Sequence, residues 1–307
     1  MVNISKLQVK DLLSISNLNK SELYNIFDIT KAFKSNSFEL ILKNKVLGLI
    51  FDKASTRTRV SFQVAMSRLG GTTIDLNPNT SQIGRGEEIK DTARILSSYC
   101  DVIAIRTFKQ SVLNEYAEWS SKPVINALTD LEHPCQALAD FYTIQEEFVD
   151  FNNIVLTFIG DGNNVANSLI LCGSLLGLEI RIACPKGFEP DPSVLKKAQA
   201  LNSNSNIKIY NNPQEAVIGS NILYTDVWSS MGEESKKIDK DSHFEGFAIN
   251  KDLVDRAKTN PIILHCLPAY RGKEITDEII ESKESRIFKQ AENRMFVQQA
   301  LLACLLS

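Results

Sequence analysis

Residues 55–59 read Ser-Thr-Arg-Thr-Arg, three hydroxyls and two guanidiniums in five positions. They sit between the apolar run 45–52 (KVLGLIFD) and a segment in which Phe62, Ala65, Met66 and Leu69 recur at i, i+3, i+4 and i+7. That order predicts a strand, a short turn and an amphipathic helix. A helix N-terminus presents backbone N–H groups without intrahelical partners and a partial positive charge, so it attracts anions. Ser55 as the N-cap accounts for one hydroxyl. Thr56, Arg57 and Thr58 are left over, and two hydroxyl donors beside a guanidinium fork suit a phosphate or a carboxylate. Arg59 also has the plainer reading of a structural ion-pair partner.

Other residues carry chemistry singly. Arg106 closes the apolar run 101–107, at the strand end where open parallel sheets bind ligands; a salt-bridge partner is the alternative. His133 precedes Pro134, a favoured first helical residue, and Gln136 follows one turn in, on the same side. Gln82 and Arg85 lie in a glycine-flexed loop before a helix. Asp226 ends a strand-like run and suits a cationic amine, or else it caps a turn together with Ser230 and Met231. Cys266 and Leu267 end the run 261–268; the thiol either handles a proton beside a cation or is a buried structural cysteine. Residues 160–164 (GDGNN, ending in Asn164) imitate a dinucleotide fingerprint, but Val165 fills the third glycine position. The next strand also runs into Pro185 and Lys186, where a ribose-binding acid belongs. Arg294 lies on a terminal helix and reads, taken alone, as an exposed helical arginine.

The elements that must position these residues alternate. Strand-like runs and helical patterns succeed one another through both halves, which predicts an α/β fold of two doubly wound parallel-sheet domains with the active site in the cleft between them. A chain of 307 residues also exceeds what one core usually organises. The periodicity breaks at 149–153, giving domains 1–150 and 151–307, with a final helix at about 290–306 expected to pack back on the first domain. A net charge of −3 argues against a nucleic-acid grip. The most apolar stretch, 168–184, is interrupted by Gly173, Gly177, Glu179 and Arg181, too often for a bilayer span, and the first 20 residues lack a secretory apolar core. Six scattered cysteines fit reduced thiols in a cytoplasmic setting. The three histidines form no metal-ligand pattern, so no metal or organic cofactor is expected.

The segments at 55–59, 81–87 (SQIGRGE), 133–140 (HPCQALAD), 226–234 (DVWSSMGEE), 265–272 (HCLPAYRG) and 291–295 (AENRM) together resemble, in order, the aspartate/ornithine carbamoyltransferase family over nearly the whole chain. The resemblance implies a loop for carbamoyl phosphate at Ser55, Thr56, Arg57 and Thr58. It adds Gln82, Arg106, His133, Gln136, Cys266, Leu267 and Arg294 as further contacts to that substrate. Arg57, Arg106, His133, Cys266 and Arg294 take catalytic roles in it, with His133 donating to the carbonyl oxygen and Gln136 holding the amide nitrogen. Gln82 would reach a neighbouring subunit's site, which implies a homo-oligomer, a trimer in this family. Asn164, Asp226, Ser230 and Met231 match the ornithine branch, implying carbamoyl transfer to the δ-amine of L-ornithine in arginine biosynthesis, with citrulline and phosphate as products. Three readings compete with it: a relative acting on putrescine or another amine, a nucleotide-dependent oxidoreductase, and a binding protein that has lost turnover.

Overall fold

A computed structural model describes residues 4–35, 40–77, 86–229, 237–258 and 260–307. The chain divides into two compact units, 1–138 with 293–307, and 139–292. Its first half runs α1 (Lys20–Lys34), β1 (Val46–Phe51), α2 (Thr56–Arg68), β2 (Thr72–Leu76), α3 (Ile89–Tyr99), β3 (Val102–Arg106), α4 (Gln110–Trp119), β4 (Val124–Leu128) and α5 (Pro134–Glu147). The second half runs β5 (Val155–Ile159), α6 (Asn164–Leu176), β6 (Glu179–Ala183), α7 (Pro192–Leu201), β7 (Asn206–Tyr210), α8 (Pro213–Ala216) and β8 (Ile222–Thr225). It continues with α9 (Lys237–His243), α10 (Lys251–Val254), β9 (Ile262–His265), α11 (Asp277–Ile280) and α12 (Ile287–Leu306). The unit boundaries fall inside α5 and α12.

In the first unit the sheet order is β2-β1-β3-β4, all parallel. The central strands are buried almost throughout because helices cover both faces, which is why they read as unbroken apolar runs. Edge strand β2 is exposed or half-buried along its length. Edge strand β4 is buried because the N-terminal segment lies beside it: Leu12 N donates to Val124 O at 2.9 Å and Asn126 N to Leu12 O at 2.8 Å. Phe62, Ala65 and Met66 form the buried face of α2. Each large side chain on that face contributes about 1.5–3 kcal/mol by leaving water, and Phe62→Ala would cost about 3–5 kcal/mol.

α1 carries helical apolar spacing, with Leu23, Ile26, Phe27 and Phe33 on its buried face. Its start is a capping box, in which the Asn19 side chain accepts from Glu22 N while the Glu22 carboxylate accepts from Asn19 N.

The second unit has the order β7-β6-β5-β8-β9, again all parallel. The edge of β9 is covered by 284–286, through Ile263 N to Glu284 O at 3.0 Å and Arg286 N to Ile263 O at 2.9 Å. Phe244 anchors the adjoining core, stacked on Trp228 with ring centroids 5.5 Å apart and edge-on to Phe188 at 4.9 Å.

Candidate active site

Each sheet has one place where its connections depart in opposite directions. In the first unit the chain leaves β1 outward to β2, then returns to β3 on the other side. The crevice beyond the carboxyl ends of two such strands is where open parallel sheets bind ligands. Residues 55–59 follow β1 directly and Arg106 ends β3, with Asp52 N bonded to Arg106 O at 2.8 Å.

Ser55 is the N-cap of α2, its Oγ accepting from Thr58 N at 3.2 Å. Thr56 and Arg57 are exposed on the first turn. Arg59 points elsewhere: it pairs with Asp75 on β2 and lies 5.0 Å over the Phe51 ring, so its role is structural.

Thr58 is buried, and its Oγ1 accepts from Arg294 Nη2 at 2.5 Å. Arg294 is 5% exposed. Its other terminal nitrogen, Nη1, donates to Gln136 Oε1 at 2.9 Å, while Nη2 also lies 3.0 Å from His133 Nε2. One guanidinium from the last helix thus joins two segments far apart in sequence, the starts of α2 and α5.

Burial, then the charges of Arg294 and Arg106, hold His133 well below the usual imidazole range. The ring is therefore neutral. With Nε2 accepting from Arg294, its proton is assigned to Nδ1. Cys135 beside it is packing: burial raises its thiol to about 12, and Sγ donates to Asn126 O at 3.4 Å.

Lys53 gave no signal in the sequence. Its ammonium lies 2.5 Å from Asp130 Oδ1 and 4.5 Å from the centroid of the Phe108 ring, tying together the loops after β1, β3 and β4. These loops lead into Arg57 on α2, out of Arg106 at the end of β3 and through His133 ahead of α5.

In the second unit the reversal falls between β5 and β8. Gly160 has φ 147°, which favours glycine. Gly162 N donates to Phe188 O at 2.8 Å, and a Cβ there would stand 2.5 Å from the Glu189 carbonyl carbon. The 188–190 backbone packs directly on Gly162, so this glycine serves chain packing.

Asp226, just past β8, is 7% exposed. Its Oδ2 accepts from Asn163 Nδ2 at 2.8 Å; its Oδ1 accepts from Cys266 Sγ and from Val227 N, both at 2.8 Å. Asn163 is fixed in turn as the N-cap of α6, whereas Asn164 is that helix's first residue. The carboxylate is thereby aimed as an acceptor suited to an ammonium or amine. Leu267 follows with φ 58°, a left-handed backbone that costs a non-glycine residue about 1–3 kcal/mol.

Asp226, His265 and Cys266 could offer three metal-ligating atoms within 4.8 Å of one another. Both ring nitrogens of His265 are already engaged, Nδ1 by Leu267 N at 2.9 Å and Nε2 with Glu274 Oε1 at 3.2 Å. Gln82, Arg85, Ser230 and Met231 lie outside the described residues.

One parallel α/β unit has buried arginines at its reversal point and the other an aimed carboxylate and thiol, features suited to a group transferase with a small anionic donor and a cationic acceptor. Comparison with known proteins agrees. Residues 10–146 match the carbamoyl-P binding domain of aspartate/ornithine carbamoyltransferase, and residues 152–305 match its Asp/Orn binding domain. An ornithine carbamoyltransferase of Prochlorococcus marinus (strain MIT 9312) is 70% identical over all of both chains. Another, from Prochlorococcus marinus subsp. pastoris, is 68% identical over the same full extent. The solved ornithine carbamoyltransferase of Pyrococcus furiosus superposes with a TM-score of 0.94 at 42% identity, covering 98% of each chain. The chain belongs to the aspartate/ornithine carbamoyltransferase family.

Proposed function

We propose that the protein transfers the carbamoyl group of carbamoyl phosphate to the δ-amine of L-ornithine, forming L-citrulline and inorganic phosphate. The observation that carries this reading is the buried cluster of Arg294, Thr58, His133 and Gln136 behind the N-terminus of α2. Ser55, Thr56 and Arg57, with the α2 dipole, bind the phosphate. The carbonyl oxygen takes hydrogen bonds from Arg57, Arg106, Arg294 and the neutral His133, and Gln136 holds the amide nitrogen. Asp226 and Cys266 orient the amine and manage its proton, while Asn164 holds the amino-acid end.

The amine nitrogen attacks the carbonyl carbon and the electron pair moves to oxygen. The tetrahedral oxyanion collapses, the bond from carbon to the phosphate oxygen breaks, and the amine loses a proton to the leaving phosphate or through Cys266. Each donor aimed at that oxyanion accounts for about 100- to 1000-fold in rate.

Exposed Val60 and Val64 on α2 and Ile74 on β2 offer an apolar surface to a second copy. We assign a trimer in which Gln82 serves a neighbouring site, and sedimentation as a monomer would overturn that assignment. Among the described residues no helix is long and apolar enough to cross a membrane, and cytoplasmic arginine biosynthesis is the setting proposed.

A colorimetric ureido assay run in parallel with ornithine, putrescine, aspartate and acetylornithine tests the function. Product with ornithine alone supports it. Product with another acceptor in preference, or with none, overturns it.

A further inference from the structure

Cys266 and Leu267 close the second unit's half-site, and something must hold them in place. His265, the last residue of β9, is fully buried and is engaged through its ring and its backbone. Its backbone N donates to Gln290 Oε1 at 3.0 Å, and Gln290 Nε2 donates to Asp140 Oδ1 at 2.6 Å. Asp140 Oδ2 in turn accepts from Tyr224 OH at 3.0 Å, so the end of β9 is tied to buried groups on α5 and β8. The ring turns the other way. Its Nδ1 accepts from Leu267 N at 2.9 Å, reaching across Cys266 to the residue with φ 58°. A nitrogen that accepts this bond carries no proton, so the proton sits on Nε2 and is donated to Glu274 Oε1 at 3.2 Å. The same oxygen accepts from Tyr270 N at 2.6 Å, which sets the following loop against the same carboxylate.

We propose that His265 is a positioning residue for the amine half-site, its Nε2–H tautomer fixed by Glu274 so that Nδ1 holds the left-handed Leu267 and keeps the intervening Cys266 Sγ against Asp226. This inference rests on the functional reading above. It assigns His265 no contact with substrate. Its effect passes through the backbone of 266–267, where displacement of reacting groups by about 1 Å can cost about 100-fold.

Two substitutions separate the two bonds of the ring. In His265→Asn the side-chain oxygen lies near the place of Nδ1, so the acceptor for Leu267 N remains and the bond to Glu274 is lost. In His265→Gln the amide nitrogen lies near the place of Nε2, so Glu274 keeps its donor and Leu267 loses its acceptor. Steady-state constants for both substrates and melting temperature are measured for each variant. The expected result is a fall of about 100-fold in kcat/KM for ornithine in His265→Gln and substantial recovery in His265→Asn.

Equal loss on both substrates in both variants, or full activity of His265→Gln, overturns the assignment. If neither variant folds, nitrogen-15 spectra of ring-labelled histidine in the wild-type protein decide. A bare Nδ1 with protonated Nε2 at His265 supports the tautomer, and the reverse overturns it. Wild-type citrulline formation is the control: its absence removes the functional reading, whereas an active wild type with an indifferent His265→Gln removes this inference alone.

Discussion

Arg294→Met tests the anion half-site most directly, because it deletes three interactions with one side chain: those with Thr58 Oγ1 at 2.5 Å, Gln136 Oε1 at 2.9 Å and His133 Nε2 at 3.0 Å. Hydrogen bonds to a charged group are worth about 1.5–3 kcal/mol each. Burying a guanidinium costs several kcal/mol, so the net change in stability is expected to be a fraction of the gross loss. Catalysis has no such offset. A missing donor to the developing oxyanion should lower kcat by about 100- to 1000-fold, or about 2.7–4 kcal/mol.

A second readout comes from His133. Arg294 is the second cause of its lowered pKa, after burial. Without that charge the ring should titrate higher than in the wild type, yet still below the ordinary 6.5, because burial remains. Arg294→Lys separates charge from shape: an ammonium keeps most of the push on His133 but cannot span Gln136 and Thr58 with a planar fork. Initial rates of citrulline formation, with histidine ring titrations by NMR, give both quantities. Wild-type kcat in the methionine variant, or an unmoved His133, would refute the reasoning.

Three further expectations follow. His133 is neutral when folded and takes up a proton on unfolding near its ordinary 6.5, so stability should fall as pH drops below about 6.5, by up to about 1.4 kcal/mol per pH unit from this group. Urea midpoints between pH 5 and 8 should show His133→Gln lacking that part of the slope, and an identical slope would contradict the assignment. Asp226→Asn should raise KM for ornithine much more than KM for carbamoyl phosphate; equal changes would count against a half-site for the amine. Gly162→Ala forces a Cβ into the 188–190 backbone and should destabilise by about 1–3 kcal/mol in urea unfolding; an unchanged midpoint would contradict the close packing.

The parallel strands were legible because burial on both faces writes an uninterrupted apolar word, as in 46–51 and 102–106. The helix at 56–68 was legible from its spacing, and its N-cap from Ser55. The α1 helix is legible in the same way, from Leu23, Ile26, Phe27 and Phe33 at helical spacing behind the Asn19–Glu22 capping box. Residues 55–58, His133, Gln136 and Asp226 could be picked out because each stands at a strand exit or helix start, where function collects. Lys53, His265, Glu274 and Gln290 could not, because their meaning lies in partners that only folding brings near. Asn163, which bonds Asp226, was passed over for its neighbour Asn164; nothing in a run of two asparagines says which one caps the helix.

Thr58 and Arg294 are 236 residues apart in sequence, and the same terminal helix binds Lys34 through Asn293 and Leu7 through Cys304. A ribosome delivers the early partners long before the late one. A nascent chain that has already formed its first four strands therefore lacks the guanidinium that bonds Thr58, and it gains that group only once synthesis has passed residue 294. The buried cluster around Thr58 is in this way coupled to the emergence of α12.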